Sequence, residues 1–199
     1  IAHRIADGAA TVLPWLEKAA VADCVFQHHR EIVEVPRNIP SAGDIEQARE
    51  EAAQWRRRFQ ELKAEIDNNP SIREQPHWYA AVTEAYRRMR WHEGVIERHV
   101  KAVSTPSIPA ELHVLRLGDT VIATNPFEYY LDFGVRIAAR SPATQTFVVQ
   151  LAGAGSYVPS KRASSGGSYG AKPASTPFGS EAGDALAEAT IRTLQKLWR

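Results

Sequence analysis

Glu128 and Tyr157 are the two side chains of this sequence whose types and positions suit shared chemistry. Glu128 comes straight after Asn125-Pro126-Phe127, which closes the apolar segment 120–123, and Tyr157 follows the strand-like run 146–151. In open α/β sheets ligands bind beyond the carboxyl ends of the strands, so a carboxylate and a phenol at two such ends can face one site. A second reading stands beside this one for Glu128. An acidic residue in the first turn of a helix is also favoured by the helix dipole.

Other constellations carry less. His28 and His29 are adjacent on an expected strand and so point to opposite faces, which prevents joint chelation of one ion. His92 and His99 lie two helical turns apart, roughly 10 Å by helical rise, too far to share a metal. The stretch His92-Glu93-Gly94-Val95-Ile96 begins like a two-histidine zinc-protease motif, but Ile96 stands where the second histidine belongs. There is no Gly-x-Ser-x-Gly elbow for a serine nucleophile. Gly153 and Gly155 follow an apolar run as a dinucleotide fingerprint would. Val158-Pro159 then follows instead of a helix, and the residue before a proline is driven to extended geometry.

Composition narrows the classes further. The 24 basic and 23 acidic residues leave a net charge of +1, so no overall field favours nucleic acid. The local run Arg56-Arg57-Arg58 falls mostly off the apolar stripe of its expected helix and reads as a solvated face whose stems cover Trp55 and Phe59. Cys24 is the only cysteine, which excludes an internal disulfide framework and a cysteine-built zinc knuckle. No apolar run approaches the ~20 residues of a transmembrane segment. No secretory leader is visible, and the chain opens on Ile1 rather than methionine.

The elements that would position these residues are readable from periodicity. Residues 2–19 are expected to form a helix with Ile5, Ala9, Val12 and Leu16 on one side and a kink at Pro14. Residues 24–35 are expected to form a strand closed by Pro36 and Pro40. Ile45, Ala48, Ala52, Trp55, Phe59, Leu62 and Ile66 recur in alternating steps of three and four, a heptad seam. A second helix over about 78–103 keeps that spacing except at Glu93. The turn Asn68-Asn69-Pro70 and a capping box from Ser71 to Glu74 would join them in an antiparallel hairpin over 44–103.

After Pro109, two short strands are expected around the Gly118-Asp119 turn, a helix over 127–140 with Glu128 in its first turn, and a strand over 144–151. The Ser/Gly-rich stretch 160–179 reads as a long loop, and a final helix starts at Ser180 with Ala185, Leu186, Ala189, Leu194 and Leu197 inward. The fold class is therefore α/β, a layered sheet with packed helices over 107–199, elaborated by the long helical hairpin.

Five segments, in order, resemble one family. They are Arg116-Leu117-Gly118-Asp119, Pro126-Phe127-Glu128, Arg140-Ser141-Pro142, Thr146-Phe147-Val148-Val149 and Tyr157-Val158-Pro159-Ser160. Over 112–160 the chain resembles the neutral/alkaline non-lysosomal ceramidases and their bacterial homologues. Upstream, Arg30-Glu31-Ile32-Val33-Glu34-Val35-Pro36 followed by a long helical segment extends the likeness. Phe127 replaces the family's glycine in its Pro-Gly-Glu turn, and the Gly-Ala-Gly segment is a residue shorter than usual.

The resemblance implies that Glu128 and Tyr157 are zinc ligands. It implies further that the family's two histidine ligands and its serine-containing stretch lie in an N-terminal half outside these residues. The chain would then be a single partial domain, the C-terminal portion of a zinc-dependent amidohydrolase of sphingolipid type, inactive alone. The implied substrate is an amide or lipid-like small molecule, and the implied location is outside the cytoplasm. The alternative is a non-catalytic binding or scaffolding module that uses the helical hairpin.

Overall fold

A computed structural model describes residues 1–21 and 23–199. In its first half the elements are α1 (Ala2–Ala19), β1 (Phe26–Pro36), α2 (Ala42–Asn68) and α3 (Ala80–Ser104). The second half holds β2 (Ser107–Leu117), β3 (Thr120–Thr124), β4 (Glu128–Tyr129), α4 (Leu131–Arg140), β5 (Gln145–Val149), β6 (Tyr157–Val158), α5 (Lys161–Ser165) and α6 (Ser180–Leu197). The fold is α/β, as its alternating pattern implied.

Four strands form one sheet in the order β1-β2-β3-β5. The first three are antiparallel, and β5 joins parallel to β3 after the crossover through α4. The expected Gly118-Asp119 turn connects β2 to β3, with Gly118 at φ 58°, the left-handed region that glycine enters without a Cβ penalty. Side chains alternate across the sheet with period two. Val35, Ala110, Leu112, Val114, Val121 and Ala123 point one way and are buried. Phe133 and Ile137 of α4 and Leu186, Ile191 and Leu194 of α6 cover that face to form the main core. Each such side chain contributes about 1.5–3 kcal/mol on full burial. The two helices approach closely because Gly183 has no side chain: a Cβ there would fall 2.0 Å from Phe133 Cζ.

The opposite face of the sheet is uncovered. Ile32, Phe147 and Val149 are exposed on it. Every residue of α1 is exposed too, so the stripe Ile5, Val12, Leu16 covers no core, and Pro14 lies inside the helix. No described helix is long and apolar enough to cross a membrane.

The hairpin forms with α2 against α3. Ala48, Ala52 and Ile66 of the heptad seam are buried, and Ile45, Trp55, Phe59 and Leu62 are half-buried. On α3 the buried positions are Ala85, Met89, Val95 and Ala102, while Tyr86, Val100 and Val103 stay exposed, so the stripe is rotated toward small residues. Glu93, the break in the apolar spacing, faces α2 and receives bonds from Arg56 and Arg90. Arg56 is thus engaged across the hairpin, whereas Arg57 and Arg58 remain exposed.

Three expectations need correction. The box expected at Ser71 does not form, because Pro70–Glu74 coils into a 3-10 turn in which Ser71 Oγ donates to Asn69 Oδ1. The capping box sits at the start of α2, where Ser41 and Asp44 bond each other's backbone N–H. The helix expected over 127–140 begins only at Leu131. Residues 128–129 are drawn into a strand by parallel pairing with β6, which removes the helix-dipole account of Glu128. Finally, 160–179 is not one long loop. It holds α5 and a 3-10 turn over Tyr169–Ala171, and it buries Ala174, Thr176 and Phe178.

Candidate functional site

The site lies beyond the carboxyl ends of the parallel strands β3 and β5. Where β3 ends, Asn125 is almost fully buried and its Oδ1 accepts the Phe127 N–H at 2.9 Å, a side-chain turn that redirects the chain. Asn125 N–H donates to Val149 O and Asn125 O accepts from Ala152 N–H, both at 2.9 Å, which ties the two strand exits together. Phe127 enters the core and meets the Phe178 ring at 4.7 Å and 64°. The bulky Phe127 side chain is thereby taken up by the core.

Gly153 and Gly155 serve this turn. A Cβ on Gly155 would fall 2.0 Å from Pro126 O and 2.6 Å from Phe127 Cα, and one on Gly153 would fall 2.9 Å from Pro126 Cβ. The Gly-Ala-Gly segment therefore packs backbone against backbone. Glu128 N–H then donates to Ser156 O at 3.0 Å, and Tyr130 N–H donates to Val158 O at 3.2 Å.

These bonds put Glu128 and Tyr157 in direct register as partners of the parallel pair β4–β6. Registered neighbours on parallel strands project to the same side, about 5 Å apart at the backbone. Val158, the next residue, is fully buried on the other side. The Tyr157 carbonyl accepts from the buried Thr176 hydroxyl, and Thr176 Oγ1 in turn accepts the Phe178 N–H. The 160–179 segment thus locks the strand from behind.

The electrostatics show the coupling. The Glu128 carboxylate raises the Tyr157 phenol above its ordinary 10.0, with burial, Tyr169 and Tyr130 adding to the rise. A phenolate beside a carboxylate is costly unless a cation joins them. Carboxylate and phenolate oxygens are donors of the hard type that binds such cations. Two are fewer than the three protein ligands of a catalytic zinc. Among the described residues, no group of three or more His, Cys, Asp or Glu side chains could hold a metal ion. The histidines lie elsewhere. His92 packs on Trp91, His99 bonds Pro40 O, and His28 stacks on His113 at the uncovered sheet face, with His29 turned the other way.

Aromatic residues that the sequence reading passed over surround the pair. Tyr169 meets Tyr157 edge-on at 5.9 Å, and Gly170 permits this because a Cβ there would fall 2.8 Å from Tyr157 Cγ. The Tyr130 hydroxyl shares a hydrogen bond with Ser168 Oγ. Only Asn125-Pro126 carried a usable signal, as a turn dipeptide. Tyr169 lay in a stretch whose polar composition resembles an ordinary loop. No family model, curated protein or solved structure matches the chain.

Proposed function

We propose that these residues form the C-terminal portion of a zinc-dependent amide hydrolase of the neutral ceramidase type. The observation that carries this reading is the register of Glu128 with Tyr157 at the carboxyl ends of β3 and β5. Three of the five segments that resemble the family meet there, Pro126–Glu128, the end of 146–149 and Tyr157–Ser160, while Arg116–Asp119 and Arg140–Pro142 lie at the opposite end of β3 and β5, where Thr144 N–H donates to Asp119 O. In this reading Glu128 and Tyr157 supply two oxygen ligands, and histidine ligands come from a segment outside these 199 residues. Zinc, when bound, lowers the pKa of a water to about 7 and polarises an amide carbonyl. Asn125, Gly155 and Thr176 fix the two oxygen donors in place, and Tyr157 must give up its proton to serve as one. The uncovered sheet face and the exposed α1 agree with a larger fold that covers them.

The test is hydrolysis of N-acyl amides by the full-length product of the natural gene, with and without chelator. Activity that chelator abolishes, and that Glu128→Gln and Tyr157→Phe each lower by more than about 100-fold, supports the reading. Undiminished activity in either variant contradicts it. A second reading, a partner-binding module, is favoured by the exposed Tyr79, immediately before α3, and the exposed Tyr86, Val100 and Val103 on it. A chain that stays monomeric at all concentrations and hydrolyses amides in full length would remove its support.

A further inference from the structure

β1 and β2 bring two histidines together on the uncovered face of the sheet. In their antiparallel register His28 lies opposite Leu115 and His113 opposite Arg30, so the two imidazoles are diagonal neighbours on one side, while His29 projects to the other. His28 Nε2 and His113 Nδ1 are 2.9 Å apart, and the ring planes, 8° from parallel, have centres 5.1 Å apart. The two nitrogens therefore face each other almost head-on. Two N–H groups in that position would repel, so at least one lone pair is presented between the rings.

A carboxylate fixes which nitrogen presents it. Glu111 Oε1 lies 3.2 Å from His113 Nε2. It accepts the proton bond of that nitrogen, which leaves Nδ1 as the lone pair aimed at His28. A carboxylate behind the ring is the outer-shell partner that orients metal-ligating histidines. Arg30 also pairs with Glu111, so the cation opposite His113 is matched by that carboxylate. The register gives the rings Phe26, Ile32, Leu115, Leu117 and Thr124 as their other neighbours on this face, none of them charged.

The spacing suits a tetrahedral ion. Zinc bound ~2.0–2.1 Å from each of two imidazole nitrogens holds those nitrogens about 3.3 Å apart and the ring centres about 5.2 Å apart. The rings reach that arrangement by turning about their present centres. His28 is exposed and His113 half-buried, so both have room to turn.

We propose that His28 and His113 bind one divalent cation of the zinc class, with Glu111 orienting His113, and that the ion staples the edge strand β1 to β2. Imidazole is a natural ligand for such ions. Two positions of the ion stay open toward the uncovered side, for water or for a ligand from whatever covers the sheet. The site is separate from Glu128 and Tyr157 and does not rest on the reading of that pair.

The experiment is a calorimetric zinc titration of the 199-residue chain carrying Glu128→Gln and Tyr157→Phe, which removes the oxygen donors of the other pair. The expected result is one zinc per chain. Glu111→Ala should weaken binding by about tenfold, the size usual for an outer-shell partner, and His28→Asn and His113→Asn should each weaken it by more than that. His29→Asn, on the opposite face, should bind as the parent does. Zinc should raise the urea midpoint of the parent and not that of His28→Asn, because an ion that binds only the folded state stabilises it. Unchanged circular dichroism spectra keep the comparison between folded chains, and glutamine replaces asparagine where a variant does not fold. No zinc binding, binding that survives either histidine variant, or Glu111→Ala equal to the parent overturns the proposal. Because this chain lacks the oxygen pair, either result leaves the Glu128–Tyr157 reading to its own test.

Discussion

Gly155 lies so close to Pro126 that a Cβ on it would come within 2.0 Å of the Pro126 carbonyl oxygen. The obstacle is backbone on both sides, with Phe127 Cα at 2.6 Å, so no side chain can swing away to relieve it. Gly155→Ala should therefore destabilise the fold by about 1–3 kcal/mol in urea unfolding and move Glu128 out of register with Tyr157. Gly134, on α4 with nothing within 4 Å of its Cβ position, is the control. Gly134→Ala should stabilise by about 0.5–1 kcal/mol.

Thr176 ties the 160–179 segment to the back of β6. It is buried, donates to Tyr157 O and accepts from Phe178 N–H. Thr176→Val leaves both backbone groups without that partner and should cost about 1–3 kcal/mol. Thr176→Ser keeps the hydroxyl and should recover most of the loss. Equal stability of the valine and serine variants would show that the contact is not what fastens the segment.

Glu93 joins the two helices of the hairpin through Arg56 and Arg90. Burial opposes its ionisation, yet hydrogen bonds from the two guanidiniums and their charge outweigh it, so the carboxyl is held below its ordinary 4.5. A group whose pKa falls on folding stabilises the native state above the unfolded value and loses that contribution as pH drops through the folded one. Glu93→Gln should cost about 1 kcal/mol at pH 7. It should also flatten the decline of stability below pH 4.5, measured by urea unfolding at a series of pH values.

Local patterning made much of this fold legible. The heptad seam of α2, the Gly118-Asp119 turn and the inward face of α6 at Leu186, Ala189 and Leu194 each show in the residue pattern of one continuous segment. What escaped the reading depends on partners distant in sequence. Residues 127–140 have a helical apolar spacing, and only β6, nearly thirty residues later, turns Glu128 and Tyr129 into a strand. The order of 160–179 comes from Thr176 and Phe178 reaching back to Tyr157 and Phe127. Composition rich in Ser and Gly hides such anchors. Ser41-x-x-Asp44 did carry a local capping signature, but Ser71-x-x-Glu74 fitted the same pattern, and the 3-10 turn after Pro70 decided between them. Glu128 and Tyr157 were found as a pair because each follows a strand. Tyr169 and Trp91, joined only through stacking, gave no such signal.

The central claim is that Glu128 and Tyr157 are two ligands of one metal. Its most direct test is a calorimetric zinc titration of the 199-residue chain. The surface pair His28 and His113, whose ring nitrogens lie 2.9 Å apart, should first be replaced by asparagine to remove a competing site. The account predicts weak binding of one zinc per chain, lost in both Glu128→Gln and Tyr157→Phe, with the double variant no worse than either. Binding that persists in the single variants, or losses that simply add, would contradict a shared site.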